Sequence, residues 1–165
     1  MYFFTADQHF GHNKPFIYEA RGFTSIEEHD TELIRRHNEV VKDGDVVVHA
    51  GDFTLLPRER AIEYVKQLNG QHIFLRGSHD RWLSNTAPTM WEKTIDGQHV
   101  VVCHYAMRTW GRSHYGSWNL FGHSHGKLEP IGKQWDVGVD NNNLYPVSWE
   151  RVKEIMSARP DNPNV

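Results

Sequence analysis

The chain has 165 residues, 38% of them hydrophobic, which is enough for one domain with a buried core. Its 18 basic and 21 acidic residues give a net charge of −3, which argues against a broad basic surface for long nucleic acids. A small phosphate-bearing substrate remains compatible with this charge. The single cysteine, Cys103, excludes an internal disulfide. The 12 histidines are numerous, and their placement decides whether they mark a metal site.

The N-terminal residues lack a basic segment followed by a long apolar run, and no stretch approaches the roughly 18 apolar residues of a membrane-spanning helix. We therefore expect a soluble, cytoplasmic protein with no membrane partner. The sequence does not indicate an oligomeric state. We expect one domain over residues 1–158, followed by a polar, proline-rich tail over residues 159–165 that frays.

The first predicted strand, residues 2–6, ends at Asp7 and His9. A short helix is expected over residues 15–20. A capping box of Ser25 and Glu28 then predicts a helix that continues to about Val41. We expect His29 and His37 to lie on its solvated or flanking side.

The valines at 46–48 predict a strand buried on both faces, as in a parallel sheet, that ends at Gly51 and Asp52. Ligands bind outside the carboxyl ends of such strands, so Asp52 is a candidate site residue. In isolation, Asp52 is equally compatible with capping the next helix, predicted over residues 57–68. The following strand, residues 72–76, ends at Gly77-Ser78-His79-Asp80.

The second half of the chain predicts antiparallel pairing. The strands at 91–95 and 99–103 flank Asp96-Gly97, a strong two-residue hairpin signal, and the second of them ends at His104. A strand at 119–121 leads to His123 and His125. A further strand is predicted over residues 135–139, and Ser148 should cap a last helix that ends near residue 158.

Candidate metal ligands therefore follow five predicted strands. They are Asp7 with His9, Asp52, Ser78 with His79, His104, and His123 with His125. Mixed carboxylate and imidazole ligands suit divalent manganese, iron, nickel or zinc better than calcium or magnesium. The set is too large for one ion, and two ions about 3.5–4 Å apart that share a carboxylate form an arrangement that hydrolyses phosphate esters.

These motifs, taken in order, resemble those of the calcineurin-like metallophosphoesterases. Asp7-Gln8-His9 matches the family's D-x-H, Gly51-Asp52 its G-D, Gly77-Ser78-His79-Asp80 its G-N-H-D/E, His104 its lone histidine, and Gly122-His123-Ser124-His125 its G-H-x-H. The resemblance implies an α/β fold, a four-layer α-β-β-α sandwich of two mixed sheets. It also implies hydrolysis of a phosphomonoester or phosphodiester by a metal-bridging hydroxide.

By the same resemblance, the first ion is held by Asp7, His9, Asp52 and His125. The second is held by Asp52, Ser78, His104 and His123, so that Asp52 bridges the two ions. Manganese is the first expectation, with nickel, iron and zinc as alternatives. His79 would act as the general acid or charge stabiliser at the leaving oxygen. Asp80 would either orient His79 or cap the next helix.

Ser78 departs from the family pattern, which has asparagine at this position. A protonated hydroxyl on one carbon reaches less far and is a poor ligand, which predicts weaker binding of the second ion. Ser78 is also the one feature that favours an alternative function, a weakened family member that serves as a protein-binding module.

Aromatic and basic residues between 81 and 118, Tyr105 among them, offer stacking surfaces and phosphate contacts. We predict substrate contacts from His12, Arg108, Arg112 and His114, although a loop histidine such as His12 is commonly only exposed. The expected partner is a small phosphate ester, with a nucleotide as one candidate.

Overall fold

The structure, a computed structural model, describes residues 1–163. Its strands form two four-stranded sheets. The strands are Tyr2–Thr5 (β1), Val46–His49 (β2), Gln71–Phe74 (β3), Met90–Ile95 (β4), Gln98–Cys103 (β5), Trp118–Phe121 (β6), Gln134–Asp136 (β7) and Val147–Ser148 (β8). The α-helices are Pro15–Tyr18 (α1), Ile26–Val40 (α2), Arg58–Val65 (α3) and Trp149–Ala158 (α4), and Ser113–Tyr115 and Val139–Asn141 form 3-10 turns.

Each sheet contains both parallel and antiparallel pairs. The first has the order β3-β2-β1-β8, in which only the β1–β8 pair is antiparallel. The second has the order β4-β5-β6-β7, in which only the β4–β5 pair is antiparallel. The predicted α/β fold with two mixed sheets is therefore confirmed.

The two sheets pack face to face around the main core. Alternate residues of a strand point to opposite faces, and those that point inward include Phe4 and Val48 from the first sheet and Val100 and Leu120 from the second, all fully buried in one cluster. Helix α4 adds Met156 to this cluster and contacts β1, β8 and β7, so it closes one edge of the sandwich.

The outer faces of the two sheets are covered differently. On the first, Val47 packs beside Val41 at the end of α2, and Leu33 of α2 packs in a second cluster with Ala61 of α3. On the second, segment 105–117, which is irregular apart from the 3-10 turn Ser113–Tyr115, packs against the sheet. Within it, Trp110 is buried and the Met107 carbonyl accepts a 2.6 Å hydrogen bond from Gln134.

Local signals account for several element boundaries. The Ser25 hydroxyl accepts a hydrogen bond from the Glu28 N–H at 3.1 Å, which starts α2 as predicted. The Glu28 carboxylate bonds to Thr24, however, instead of completing the capping box on Ser25. Asp96 and Gly97 have φ values of 49° and 82°, the left-handed conformations that a two-residue hairpin turn requires. None of the helices over residues 1–163 is long and apolar enough to cross a bilayer.

The expectation that His29 and His37 are solvated was wrong. His29 and His37 on α2 are buried, because each finds a hydrogen-bond partner inside, the Asp30 carboxylate for His29 and the Asn69 carbonyl for His37, both at 2.8 Å. The C-terminal segment is also held down where it is described, up to residue 163. Arg159 donates to the Gly132 carbonyl, and residues 164 and 165 of the expected frayed tail lie outside the described residues.

Candidate metal centre

The candidate ligands lie at one end of the sandwich because the parallel strands of each sheet deliver their carboxyl ends there. Asp7 and Asp52 follow β1 and β2, whereas His104 and His123 follow β5 and β6. Two hydrogen bonds join these ends across the sheets. His104 Nδ1 lies 2.8 Å from the Ala50 carbonyl oxygen, and the His123 N–H donates to Asp7 Oδ2 at 2.9 Å.

Two clusters result, each with one carboxylate and two imidazoles. The first cluster is Asp7, His9 and His125, and the second is Asp52, His104 and His123. Within each cluster, ligand atoms from the three side chains lie within 4.8 Å of one another, so both clusters could hold a metal ion.

Asp52 faces both clusters. Its Oδ2 lies 3.3 Å from His104 Nε2 and 3.8 Å from His9 Nε2. Its Oδ1 accepts a hydrogen bond from the His79 N–H at 2.9 Å, which fixes the carboxylate. The arrangement suits a carboxylate that is shared between two ions, as the sequence predicts.

Five candidate ligands have left-handed backbone conformations. Their φ values are 59° for Asp7, 52° for His9, 56° for Asp52, 67° for His123 and 49° for His125. Such conformations cost roughly 1–3 kcal/mol each in residues other than glycine and concentrate at functional sites. These conformations therefore lower the stability of the fold, and they direct the five side chains toward the candidate metal centre.

Two of the motif glycines allow the close approach of the strand ends. A Cβ atom on Gly51 would lie 2.5 Å from His104 Nδ1, and one on Gly77 would lie 2.4 Å from Asp52 Oδ1. Both distances are shorter than any tolerable contact. A side chain at either position would push a candidate ligand away. Packing therefore explains why glycine stands at these positions of the G-D and G-x-H-D motifs.

Unpaired buried atoms favour a bound cation. Among the described residues, six buried side-chain atoms have no hydrogen-bond partner. Two are Gln8 Oε1 and His12 Nδ1, and the other four are Asp7 Oδ1, both ring nitrogens of His9, and His104 Nε2. Buried polar atoms are nearly always paired, and these four all belong to candidate ligands. Two carboxylates and four imidazoles suit a pair of divalent first-row transition metals, so the residues present fit the predicted ions.

Hydrogen bonds from outside the clusters orient the imidazoles. Since His104 Nδ1 bonds to the Ala50 carbonyl, its Nε2 is left for a ligand. His125 Nδ1 lies 2.5 Å from Asp140 Oδ2, so the Asp140 carboxylate orients His125 in the same way. Carboxylate and carbonyl partners of this kind fix the tautomer of metal-binding histidines.

Arg21 is the centre of this support, and sequence reasoning missed it. Its guanidinium binds both carboxylate oxygens of Asp140, at 2.8 and 2.9 Å. It also donates to the carbonyl oxygens of Asp7 at 2.6 Å and Gln8 at 2.9 Å. Arg21 thus fixes the backbone of the first motif and the partner of His125 together. It follows a short helix with no motif around it, so nothing local marked it.

Burial and charge set the protonation of the clusters when no ion is bound. Burial raises the pKa of Asp7 from 3.8 to about 7 and lowers that of His9 from 6.5 to about 3. Burial also acts to raise the pKa of Asp52, but the neighbouring His104 imidazole, 3.3 Å from Asp52 Oδ2, holds it below its usual value. At neutral pH Asp52 is therefore ionised, His9 is neutral, and Asp7 is poised to lose its proton.

Asp80 has a different role from either one predicted. Its carboxylate accepts hydrogen bonds from the backbone N–H groups of Asp52 at 2.6 Å, Phe53 at 2.9 Å and Gly77 at 2.8 Å, and from the Trp82 indole at 3.1 Å. Within residues 1–163 it makes no hydrogen bond to His79 and caps no helix. Asp80 is a positioning residue that ties the G-D loop to the G-x-H-D loop.

Two further histidines line the mouth of the site. The exposed ring of His79 lies 5.7 Å from the His9 ring, centroid to centroid, and the ring of His12 lies 5.6 Å from it. Both side chains therefore lie next to the first cluster. The Ser78 hydroxyl donates to Asp52 Oδ2 at 3.0 Å, so it contacts the shared carboxylate.

The structure places Arg112 and His114 away from the two clusters, and their contact with substrate stays a prediction. They lie at the 3-10 turn whose end, Gly116, accepts a hydrogen bond from Gln98, the first residue of β5. This is the amino end of the strand, and the candidate ligands lie at its carboxyl end, about 17 Å away at 3.4 Å per residue. Arg108 is exposed earlier in the same segment, and its contact with substrate stays a prediction.

Comparison with known proteins finds similarity both in sequence and in fold. A curated relative, an uncharacterized protein of Methanocaldococcus jannaschii, is 28% identical over 160 residues, which are 92% of this chain and 88% of the relative. A solved protein of unknown function from Aquifex aeolicus shares the fold, with a TM-score of 0.73 at 18% identity over 94% of this chain and 98% of that chain. No protein-family model matches the sequence.

Two other solved structures are similar in part. One is a conserved uncharacterized protein, described as a predicted phosphoesterase, from Streptococcus pneumoniae, with a TM-score of 0.43 at 14% identity over 75% of this chain and 62% of that one. The other is a single mutant of Vps29 from Entamoeba histolytica, with a TM-score of 0.49 at 15% identity over 83% and 72%. No feature of the site follows from likenesses this partial. The function therefore has to be argued from the two clusters and the motifs that build them.

Proposed function

We propose that this protein is a dimetal-dependent hydrolase of small phosphate esters. The observation that carries the proposal is the position of Asp52, whose Oδ2 faces an imidazole of each cluster, His9 at 3.8 Å and His104 at 3.3 Å. A carboxylate between two histidine-rich clusters is the arrangement of two-metal phosphoesterases. The order of the five sequence motifs supports the same chemistry.

The donor set favours manganese, with nickel, iron or zinc as alternatives. When bound, a pair of such ions supplies Lewis acidity to the phosphoryl oxygens and activates water for in-line attack. The first ion would be held by Asp7, His9, Asp52 and His125. The second would be held by Asp52, His104 and His123, with Ser78 at most a weak ligand.

His79 supplies the proton for the leaving oxygen in this proposal. Its ring is exposed beside the His9 ring, and its backbone N–H is fixed by Asp52 Oδ1 at 2.9 Å. In this position the His79 ring would contact a phosphate ester from the solvent side, and its nitrogen atoms would not coordinate the ions. His12 lies on the same side, and burial together with the charge of His79 lowers its pKa, so the neutral ring can donate an N–H to a phosphoryl oxygen.

The substrate is a small phosphomonoester or phosphodiester, with a nucleotide as one candidate. The net charge of −3 does not favour long nucleic acids. Arg108 is the proposed cationic contact beyond the ions. If an Arg108→Ala variant keeps the Michaelis constant of the unaltered protein, Arg108 does not bind the substrate.

One observation favours a second candidate function, a protein-binding module with a weakened site. The Ser78 hydroxyl bonds to Asp52 instead of extending the ligand set of the second cluster. The intact remaining ligands and their unpaired buried atoms weigh against this candidate.

The test is turnover of nitrophenyl phosphate, a monoester, and bis-nitrophenyl phosphate, a diester, with manganese, nickel, iron or zinc added. We expect metal-dependent hydrolysis of one or both. His9→Ala, which removes a proposed ligand, should abolish this hydrolysis. The control variant His99→Ala, at the opposite end of β5 from the clusters, should retain the hydrolysis. Absence of hydrolysis with every metal would contradict the proposal and favour the binding module.

A further inference from the structure

A cavity of about 370 Å³ opens beside the second cluster. Its walls are mainly apolar, with side chains of Met90, Cys103, Tyr105 and Met107, and it reaches His104 and Gly77 at the metal centre. The volume lies at the lower end of the range for small-molecule sites, about 300–1,000 Å³. The cavity therefore has room for one ring system, and His104 of the second cluster is part of its wall.

Tyr105 joins this cavity to the candidate ligands. Its ring centroid lies 4.9 Å from that of His104 and 4.7 Å from that of His123, both in edge-on geometry. Its side chain thus packs against two members of the second cluster. An aromatic group bound on Tyr105 would have its attached oxygen directed toward the ions that these histidines would hold.

Tyr105 and Met90 are exposed although both are large and apolar. Tyr105 is 52% exposed and Met90 is 39% exposed, and they line the same cavity. The backbone at Tyr105 is fixed from below, since the thiol of Cys103 donates to the Tyr105 carbonyl at 3.0 Å. An exposed aromatic ring on a fixed backbone offers a stacking surface that costs little ordering entropy when a ligand binds.

The chemistry of the walls favours a flat aromatic ligand. Methionine thioethers make favourable contacts with aromatic rings, and a tyrosine ring stacks on a nucleobase or a phenyl group alike. Arg76, which also lines the cavity, carries a guanidinium plane of the kind that stacks on aromatic faces. A sugar phosphate or a short alkyl ester would leave this apolar surface uncovered.

We propose that the cavity binds the aromatic part of the phosphate ester, with Tyr105 as the residue that determines specificity, and this proposal rests on the hydrolase function proposed above. The phosphoryl group would lie at the two clusters and the ring between Tyr105 and the methionines. The substrate class is therefore an aryl or nucleoside phosphate ester.

Binding of phosphonates tests the cavity without relying on turnover, because the reaction does not cleave a P–C bond. Calorimetry on the manganese-loaded protein would compare phenylphosphonate and methylphosphonate. We expect phenylphosphonate to bind at least about tenfold more tightly, the usual worth of one stacked ring. The 5′-phosphonate analogue of adenosine forms a further arm. Tighter binding than phenylphosphonate identifies a nucleobase as the ring, and weaker binding identifies a simple aryl group.

Variants separate the cavity from the metal centre. Tyr105→Ala, measured at a manganese concentration that saturates both clusters, should lose the preference for the phenyl ligand. Tyr105→Phe, which keeps the ring against His104 and His123, should retain the preference. Tyr115→Ala is the matched control, because Tyr115 is 82% exposed and lies at the amino ends of the strands.

Equal affinity of the unaltered protein for the two phosphonates, or a phenyl preference that survives in Tyr105→Ala, would overturn the proposal. A failure of the proposed hydrolase function can be distinguished from a failure of the cavity proposal. A Tyr105-dependent phenyl preference without hydrolysis of any ester would support the cavity and contradict the reaction, whereas hydrolysis without that preference would do the reverse.

Discussion

The two clusters of the metal centre have the same composition but different surroundings. The first is supported on its outer side by Asp140 and Arg21, and its Asp7 and His9 are buried. In the second, His123 is exposed, and the neighbouring Ser78 bonds to the shared carboxylate. A preorganised cluster binds its ion more tightly than an open one. We therefore expect the first ion to be retained and the second to exchange, which the predictions below test.

The largest effect is expected at Asp52, the carboxylate that is proposed to bridge the two ions. Asp52→Asn removes the negative charge that faces His9 and His104, so the variant should lose both ions and all metal-dependent turnover. Metal content after dialysis would be measured by elemental analysis. Asp161→Asn, on the surface near the C-terminus, should bind as many ions as the unaltered protein, and an Asp52→Asn variant that still bound two would show that Asp52 does not bridge.

A smaller but still large effect is expected at His79, which belongs to neither cluster. His79→Gln should lower turnover by about 10²- to 10⁴-fold, as is typical for loss of a general acid. Both ions should remain bound, because the imidazole is not a ligand in this account. Loss of an ion from this variant would instead assign His79 to the metal.

The difference in support predicts an intermediate effect on the first ion alone. Asp140→Asn weakens the hydrogen bond that orients His125 and the double contact with Arg21. Its affinity for the first ion should fall about 10- to 100-fold, the usual cost of losing such a partner. A two-step metal titration would measure this fall. An equal loss at both steps would show that the support is not specific to the first cluster.

Ser78→Asn should change the second cluster by a few-fold. An amide oxygen reaches further than a hydroxyl and is a better ligand, so the variant should need less metal for half-maximal activity. Ser84→Asn, in an exposed turn, serves as the control. Identical metal titration curves for Ser78→Asn and the unaltered protein would contradict this account of Ser78.

The smallest expected effect is the contribution of the Asp7 carboxyl to the pH dependence of stability. The pKa of its buried carboxyl is raised to about 7 in the folded protein and is near 3.8 when unfolded. Folded chains thus bind more protons between these values, and this group's contribution to stability falls as the pH rises from about 4 to 7. Metal-free Asp7→Asn should therefore melt several degrees above the metal-free unaltered protein at pH 8 and close to it below pH 4. Equal melting temperatures at both pH values would contradict the raised pKa.

The candidate ligands could be found from the sequence because each one follows directly on an apolar strand. Asp7, Asp52 and His104 come within three residues of a strand end, and parallel pairing carries such ends to one edge. The strands and the Asp96-Gly97 turn were predictable for a similar reason, since their signals are local.

The rest depends on contacts between residues that are far apart in sequence. Arg21 and Asp140 meet across 119 positions, and neither belongs to a motif. The distance of Arg112 and His114 from the two clusters could not be predicted from their closeness to His104 in sequence, because segment 105–117 runs back along the outer face of its sheet. His29 was taken as solvated because its hydrogen-bond partners, among them Arg21, were unknown.

The most direct test of the central claim is a crystal of the protein soaked in manganese, with anomalous scattering to locate the ions. Two peaks about 3.5–4 Å apart, one on each side of Asp52, are the predicted result, and the peak at Asp7, His9 and His125 should be the stronger. No peak, or a single peak that Asp52 does not contact, would contradict a dimetal centre in this protein.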